Sequence, residues 1–439
     1  MNSFFAFGRR LGDKLPDDLG RVDDWARRVA SVVSAVLIGL VALVFAIAGD
    51  KAQDLFLEWT GRYGWLPLVL TPAMFVLVAL LTRRLAPEAR GSGIPQVIAA
   101  GRHPESKQAL KLVSLRAASA KMVLAVLSLL GGASVGREGP TVQLGAAVMV
   151  AVHRVLRVKV TAGVLIAGGA AGVAAAFNTP LAGIAFAIEE LAVAYEQRVA
   201  VLVMGAVMIA GLTAQGLAGN YVYFGELEGS LPVASILIAA PLAGLVGGFL
   251  GGTFSRLLLA LRGPDGRWSA LLGSRPLLTA LACGIVVGIL GFLTAGAVSG
   301  TGYEPTQALL AGKEGELWFG PAKFLAALAT SVSGIPGGIF APSLAAGSGF
   351  GQMLTVLFPP EQSGLIVLMG MAGYFTGVVR APLTTVIILS ETTGMSGAIV
   401  PLFATALIGD WTGSLVCKER LYHALARDFL PKASEEKTA

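Results

Sequence analysis

One segment, Gly136-Arg137-Glu138-Gly139-Pro140, puts a carboxylate at the start of an apolar stretch, Thr141–Val152. Three other segments combine glycine, proline or a polar group in the same way. They are Gly91-Ser92-Gly93-Ile94-Pro95, Gly338-Ile339-Phe340-Ala341-Pro342, and Tyr422 shortly after Lys418-Glu419-Arg420. Proline in the first turn, with a small polar residue ahead of it, marks a helix start. A helix start presents free backbone N–H groups and the positive end of the helix dipole, so it attracts anions. Several starts aimed at one point can hold a small anion without a full positive charge, and the anion can then be released. The serine and tyrosine hydroxyls add neutral donors.

Glu138 is an acid where an anion should sit. Charged, it competes with the anion; protonated, it withdraws. A carboxylate partly buried in the membrane favours its neutral form, so Glu138 reads as a gate and proton carrier. The plainer reading is a first-turn glutamate that stabilises its own helix dipole. Glu189-Glu190 closes the apolar stretch Thr179–Ile188. Either carboxylate could relay protons, or the pair could simply meet water at a span end. Glu190 is the better relay candidate, because Glu189 has an acidic mate elsewhere in the chain and Glu190 has none. Lys121 either sets the electrostatic level of an anion path or snorkels to the interface. His103, His153 and His423 have neither metal nor triad spacing, and Cys283 and Cys417 make no disulfide framework. Gly312-Lys313-Glu314 lacks the hydroxyl residue and upstream glycine of a phosphate loop. No metal, cofactor or nucleotide site is expected.

The elements that hold these residues must lie in a bilayer. The 439 residues are 55% apolar and 14% charged, with mean hydropathy +0.73. A soluble domain carries about 25% charged residues. Val29–Gly49, Leu231–Ser255, Pro276–Tyr303 and Phe324–Pro360 contain no charge. A span takes about 20 residues, so the last two must turn in or at the membrane. Many of the 57 glycines fall in apolar runs, where small residues permit close helix packing. Helices broken by Gly or Pro survive in a bilayer only against protein or a wet cavity, which favours a transporter or channel over an anchor. Basic residues cluster before the first span, as Arg9, Arg10, Lys14, Arg21, Arg27 and Arg28. They cluster again after the second, as Arg83, Arg84, Arg90, Arg102, Lys107 and Lys111. The intervening loop, Asp50–Gly64, is richer in acid. The N-terminus is therefore expected to be cytoplasmic, with Asp17–Arg28 a short surface helix. Basic residues at span ends argue against nucleic-acid binding.

The chain also repeats. Without a gap, Lys121 aligns with Lys323, Gly136 with Gly338, Pro140 with Pro342, Pro180-Leu181 with Pro382-Leu383, and Glu189 with Glu391, each pair 202 positions apart. Intramembrane Lys and Glu are rare, so these matches outweigh those of glycine. Ser92-Gly93-Ile94-Pro95 resembles Ser333-Gly334-Ile335-Pro336, but out of that register. Internal repeats of this kind place substrate sites between halves. The expected organisation is an amphipathic helix over 1–28, repeats over about 29–219 and 231–430, and a cytoplasmic tail over 431–439.

Together these motifs, with Phe177-Asn178-Thr179-Pro180-Leu181-Ala182-Gly183 and Glu189-Glu190, resemble the CLC family of chloride channels and chloride/proton antiporters. The resemblance runs from about Val29 to Leu430. It implies an all-helical membrane fold of two inverted repeats with broken and tilted helices. It further implies a homodimer with one pathway per subunit, in a bacterial-type inner membrane. Ser92 and Tyr422 would be the central-site serine and inner-gate tyrosine, and the backbone N–H groups of Ile339 and Phe340 would complete the chloride site. Glu138 would be the external gate, and Glu190 the internal proton-transfer acid. Gly136, Arg137, Gly139, Pro140 and Lys121 would support the motif. Ser92 in place of proline implies chloride over nitrate, and Glu190 implies an exchanger over a channel. Gln96 stands where the family often has an acid. The short segment after Tyr422 leaves no room for paired nucleotide-binding domains. The expected function is chloride/proton antiport; rivals are a passive chloride channel, a hydrolase built on Ser134, and an unrelated transporter.

Overall fold

The computed structural model describes residues 22–191, 197–219, 222–227, 229, 231–395 and 397–430. The described residues are helical apart from short connections. The first half runs α1 (Val22–Arg62), α2 (Pro67–Leu85), α3 (Ile94–Arg102), α4 (Lys107–Leu112), α5 (Leu115–Leu130), α6 (Glu138–Val155), α7 (Ala162–Phe177), α8 (Pro180–Phe186, extended by a π turn, Ala187–Leu191) and α9 (Gln197–Ala218). The second runs α10 (Val233–Arg262), α11 (Ser269–Ser274), α12 (Pro276–Leu293), α13 (Tyr303–Leu310), α14 (Phe319–Ser333), α15 (Phe340–Thr355), α16 (Ser363–Val379), α17 (Pro382–Thr393), α18 (Ile399–Val416) and α19 (Leu421–Ala426). Eight helices, among the described residues, are long and apolar enough to cross a membrane.

Two expectations change. The stretch expected as a loop, 50–64, is mostly helix, because α1 continues to Arg62. Asp54, Glu58 and Arg62 lie four apart on exposed positions, a spacing that supports one helical face. The expected surface helix at 17–28 falls partly outside the described residues, and from Val22 onward the chain already belongs to α1. The expected tail, 431–439, also lies outside them.

Buried helices form the centre. Nearly every residue of α6, α7, α15 and α16 is buried. Such helices cannot be amphipathic; they must be apolar or small all round, and α7 (AGVLIAGGAAGVAAAF) is. The outer helices turn Val44, Val69, Leu212, Ile238, Leu293 and Leu407 outward, each more than half exposed. That apolar exterior suits lipid.

The helices correspond across the repeat: α5 to α14, α6 to α15, α7 to α16, α8 to α17. At the join, Gly136 and Gly338 form an antiparallel bridge, with N–H to carbonyl distances of 2.8 Å in both directions. Residues equivalent in the two halves thus meet with opposite chain direction, as an inverted repeat requires.

The structure also resolves the out-of-register resemblance. The mate of Gly91-Ser92-Gly93 is Gly300-Thr301-Gly302. Both loops pass through positive φ at their glycines, 64° and 112° in one and 60° and 80° in the other, and each leads into a short helix, α3 or α13. Ser333-Gly334-Ile335-Pro336 instead closes α14, with Gly334 as its C-cap. The first half carries an extra short helix, α4, so a gapless comparison loses the match upstream of Lys121.

Candidate functional site

The loop before α3 is held by two buried side chains. Lys121 Nζ donates to Gly91 O at 3.0 Å and to Arg90 O at 3.5 Å. Gln96 Nε2 donates to Arg90 O at 2.7 Å and to Glu88 O at 3.1 Å. A carboxylate at position 96 could not donate in this way. Lys121 has no exposure, so it does not snorkel; it caps carbonyls beside the site. Lys323 repeats the arrangement, donating to Val298 O at 2.9 Å and Gly300 O at 2.8 Å.

The start of α6 packs directly on that loop. A Cβ added to Gly139 would overlap the Ser92 hydroxyl, and one added to Gly93 would sit 2.6 Å from Gly139 O. Ser92 is 8% exposed, and Glu138 and Tyr422 are fully buried. Neither hydroxyl, and neither oxygen of Glu138, makes a hydrogen bond of ordinary geometry among the described residues. The Tyr422 phenol lies within electrostatic reach of Ser92, Glu138 and Glu190. The Glu138 carboxylate lies against its own backbone N–H and that of Ala341, at the start of α15.

Phe340 is wedged between rings. Its neighbours are Phe375 at 5.0 Å, Phe186 at 5.6 Å, Tyr422 at 5.9 Å and Phe177 at 6.3 Å between centroids. This apolar clamp fixes the first turn of α15, whose N–H groups have no partner inside their own helix. Ser92, Ile339 and Tyr422 also border one cavity of about 240 Å³, together with Arg90, Arg262 and Asp428. At its rim Arg90 pairs with Asp428 at 3.5 Å. Burial pushes the Asp428 carboxyl up from its usual range, against the pull of Arg90 and Arg262.

Ser92, Glu138, Ile339, Phe340 and Tyr422 therefore come together. Arg137 does not join them. It turns back to α1, donating to Asp50 Oδ1 at 2.6 Å and Ala46 O at 3.0 Å, and so anchors the motif.

The two adjacent glutamates separate in role. Glu189 accepts from the N–H groups of Leu383 and Thr384 at 2.9 and 2.6 Å, capping α17. Glu391 accepts from those of Leu181 and Ala182 at 3.1 and 2.7 Å, capping α8. The pair is reciprocal across the repeat. Glu190 is fully buried, and neither of its oxygens has a hydrogen-bond partner among the described residues. His423 Nε2 lies 3.7 Å from its Oε1, and Arg420 is in electrostatic reach of it. His423, just past the last span, also meets Arg102 Nη2 at 3.0 Å through Nδ1. Burial, then Arg102 and Arg420, push the imidazole below its ordinary value, while the Glu190 backbone pulls it up. Sequence spacing passed over His423, Arg102 and Arg262, since their partners are distant in the chain. The one available signal was that His423 adjoins Tyr422.

The Voltage gated chloride channel family profile matches residues 74–414. The chain is similar to the H(+)/Cl(-) exchange transporter ClcA of Salmonella agona (strain SL483), 30% identical over 442 residues that cover 93% of this chain and 90% of that protein. Among solved structures it is similar to a slow cyanobacterial Cl−/H+ antiporter, with TM-score 0.75 at 24% identity, covering 92% of this chain and 99% of that one. It is also similar to a CLC-type fluoride/proton antiporter, with TM-score 0.76 at 24% identity, covering 91% and 97%.

Proposed function

The chain belongs to the voltage gated chloride channel family, and from that membership we propose that it is a chloride/proton antiporter with a protonatable glutamate gate. The observation that carries the reading is a pair of buried carboxylates, Glu138 and Glu190, neither with a hydrogen bond of ordinary geometry among the described residues and both in reach of Tyr422. An unpaired buried carboxylate is costly when charged, so each is suited to taking up and releasing a proton. A passive channel needs only the anion groups and leaves the second carboxylate without a task.

In this reading chloride sits among the Ser92 and Tyr422 hydroxyls and the Ile339 and Phe340 N–H groups. Glu138 competes for that position when charged and leaves it when protonated. Glu190 exchanges protons with the cytoplasm. Lys121 and the Gly136–Pro140 motif hold the framework. The similarity to a fluoride/proton antiporter bears on the fold alone; Ser92 supports chloride as the anion. The subunit works as a homodimer in a bacterial inner membrane, each subunit with its own pathway and both termini cytoplasmic.

The test is flux in proteoliposomes. An imposed chloride gradient should drive protons uphill through the wild-type protein. Chloride movement with no proton movement would replace the antiporter by the channel.

A further inference from the structure

We propose that His423 is the proton-entry relay between the cytoplasm and Glu190, with Arg102 as a movable latch on its outer nitrogen. The proposal rests on the antiporter reading above.

The geometry sets the chemistry. Glu190 has no exposed surface, so it cannot collect a proton from water directly. The His423 side chain is 24% exposed and reaches it, with Nε2 at 3.7 Å from Oε1. That gap exceeds a hydrogen bond by about 0.7 Å, a distance a small side-chain rotation can close. An arginine can only donate, so the 3.0 Å contact from Arg102 Nη2 makes Nδ1 the acceptor. The proton of the neutral ring therefore sits on Nε2, facing the Glu190 carboxylate and main-chain carbonyl. Arg102 is exposed and can swing away.

The step balances as follows. Arg102 leaves, and Nδ1 takes a proton from a hydronium ion of the cytoplasmic water, leaving water and the imidazolium. The Nε2–H bond then breaks as an Oε1–H bond forms on Glu190. The ring is left neutral with its proton on Nδ1, and exchange with water, in which Nδ1 gives up that proton and Nε2 takes one, restores the starting tautomer. Arg102 returning to Nδ1 blocks further uptake. The charged groups around the ring are Arg102 at the end of α3, Arg420 before α19, and Glu189 and Glu190 on the π turn. Glu189 is engaged in capping α17, which leaves Glu190 as the acceptor. Histidine is suited to this place, because its charge changes between about pH 5 and 8.

The experiment uses the full chain in proteoliposomes. Proton-coupled turnover is measured against cytoplasmic-side pH for the wild type, His423→Asn and His423→Ala. Chloride movement by each variant in a Glu138→Ala background reports whether the pathway is intact. A positioned proton shuttle is worth at least about tenfold, so coupled turnover should fall by about that factor in both variants. The histidine component of the pH profile should disappear, and added imidazole should restore His423→Ala, while chloride movement in the Glu138→Ala background holds. Unchanged rate and profile in both variants overturn the relay and leave the antiporter standing. A fall in coupled and uncoupled flux together, with no rescue by imidazole, makes His423 a structural residue. A wild type that moves chloride without protons removes both readings at once.

Discussion

At the scale of the residue, Glu138 is an acid with no ordinary hydrogen bond in a place built of donors. Its carboxylate lies against the Ala341 N–H at the start of α15 and leans over Gly136. In the proposed reading it therefore occupies a position that the anion also uses. Replacing it by a small neutral side chain should leave that position open and remove the proton acceptor. Glu138→Ala is expected to keep chloride movement and lose proton coupling, read as chloride and proton flux from the same vesicles. Ser92 offers a hydroxyl that makes no hydrogen bond of ordinary geometry among the described residues. Proline lacks the hydroxyl and the backbone N–H. Ser92→Pro is expected to shift anion preference from chloride toward nitrate, measured as relative flux in mixed-anion gradients.

At the scale of the element, the pair Glu189 and Glu391 shows how the repeat stabilises itself. Each carboxylate closes the start of the other half's short helix, where two N–H groups lack intrahelical partners. Hydrogen bonds to a charged group are worth about 2 kcal/mol each. Glu189→Gln and Glu391→Gln should both lower the thermal unfolding temperature in detergent by a few degrees. Glu190→Gln should not, since it removes a buried carboxylate that has no hydrogen-bond partner, and its loss should appear in proton flux instead. Similar unfolding temperatures for all three variants would remove the distinction between caps and relay. The same scale explains Lys121 and Lys323. Each is a buried amine tied to the carbonyls of a glycine loop, and each loop leads into a short helix.

At the scale of the whole molecule, the Gly136–Gly338 bridge places the halves back to back, so one helix start from each meets at the centre. Glu138 and Phe340 are equivalent positions. One half contributes the protonatable group, the other fixed backbone donors. In the proposed reading Ser92, Glu138, Ile339, Phe340, Tyr422 and Glu190 all act within one chain, so the proposed dimer should contain two independent routes. A mixed dimer of wild-type and Glu138→Ala subunits should show proton coupling equal to the average of its parents, measured after purification by two different tags. Coupling lost entirely in the mixed dimer would mean that the subunits share a pathway.

Membrane residence, the helical class and the repeat were legible in the sequence, because hydropathy, glycine content and spacing are linear properties of the chain. So were Ser92, Glu138 and Tyr422 as residues of interest, since acids and hydroxyls in apolar runs stand out. Other features depended on chain segments meeting in space. Arg137 pairs with Asp50, 87 residues earlier. Glu189 caps a helix 194 residues later. His423 reaches Glu190 and Arg102 from the far end of the chain. The true mate of the Ser92 loop was hidden by the extra helix α4. Composition determined that polar groups would be few in this protein. Tertiary structure decided which of them have partners and which remain free for an anion or a proton, because a buried polar group finds its hydrogen bonds through space and not along the sequence.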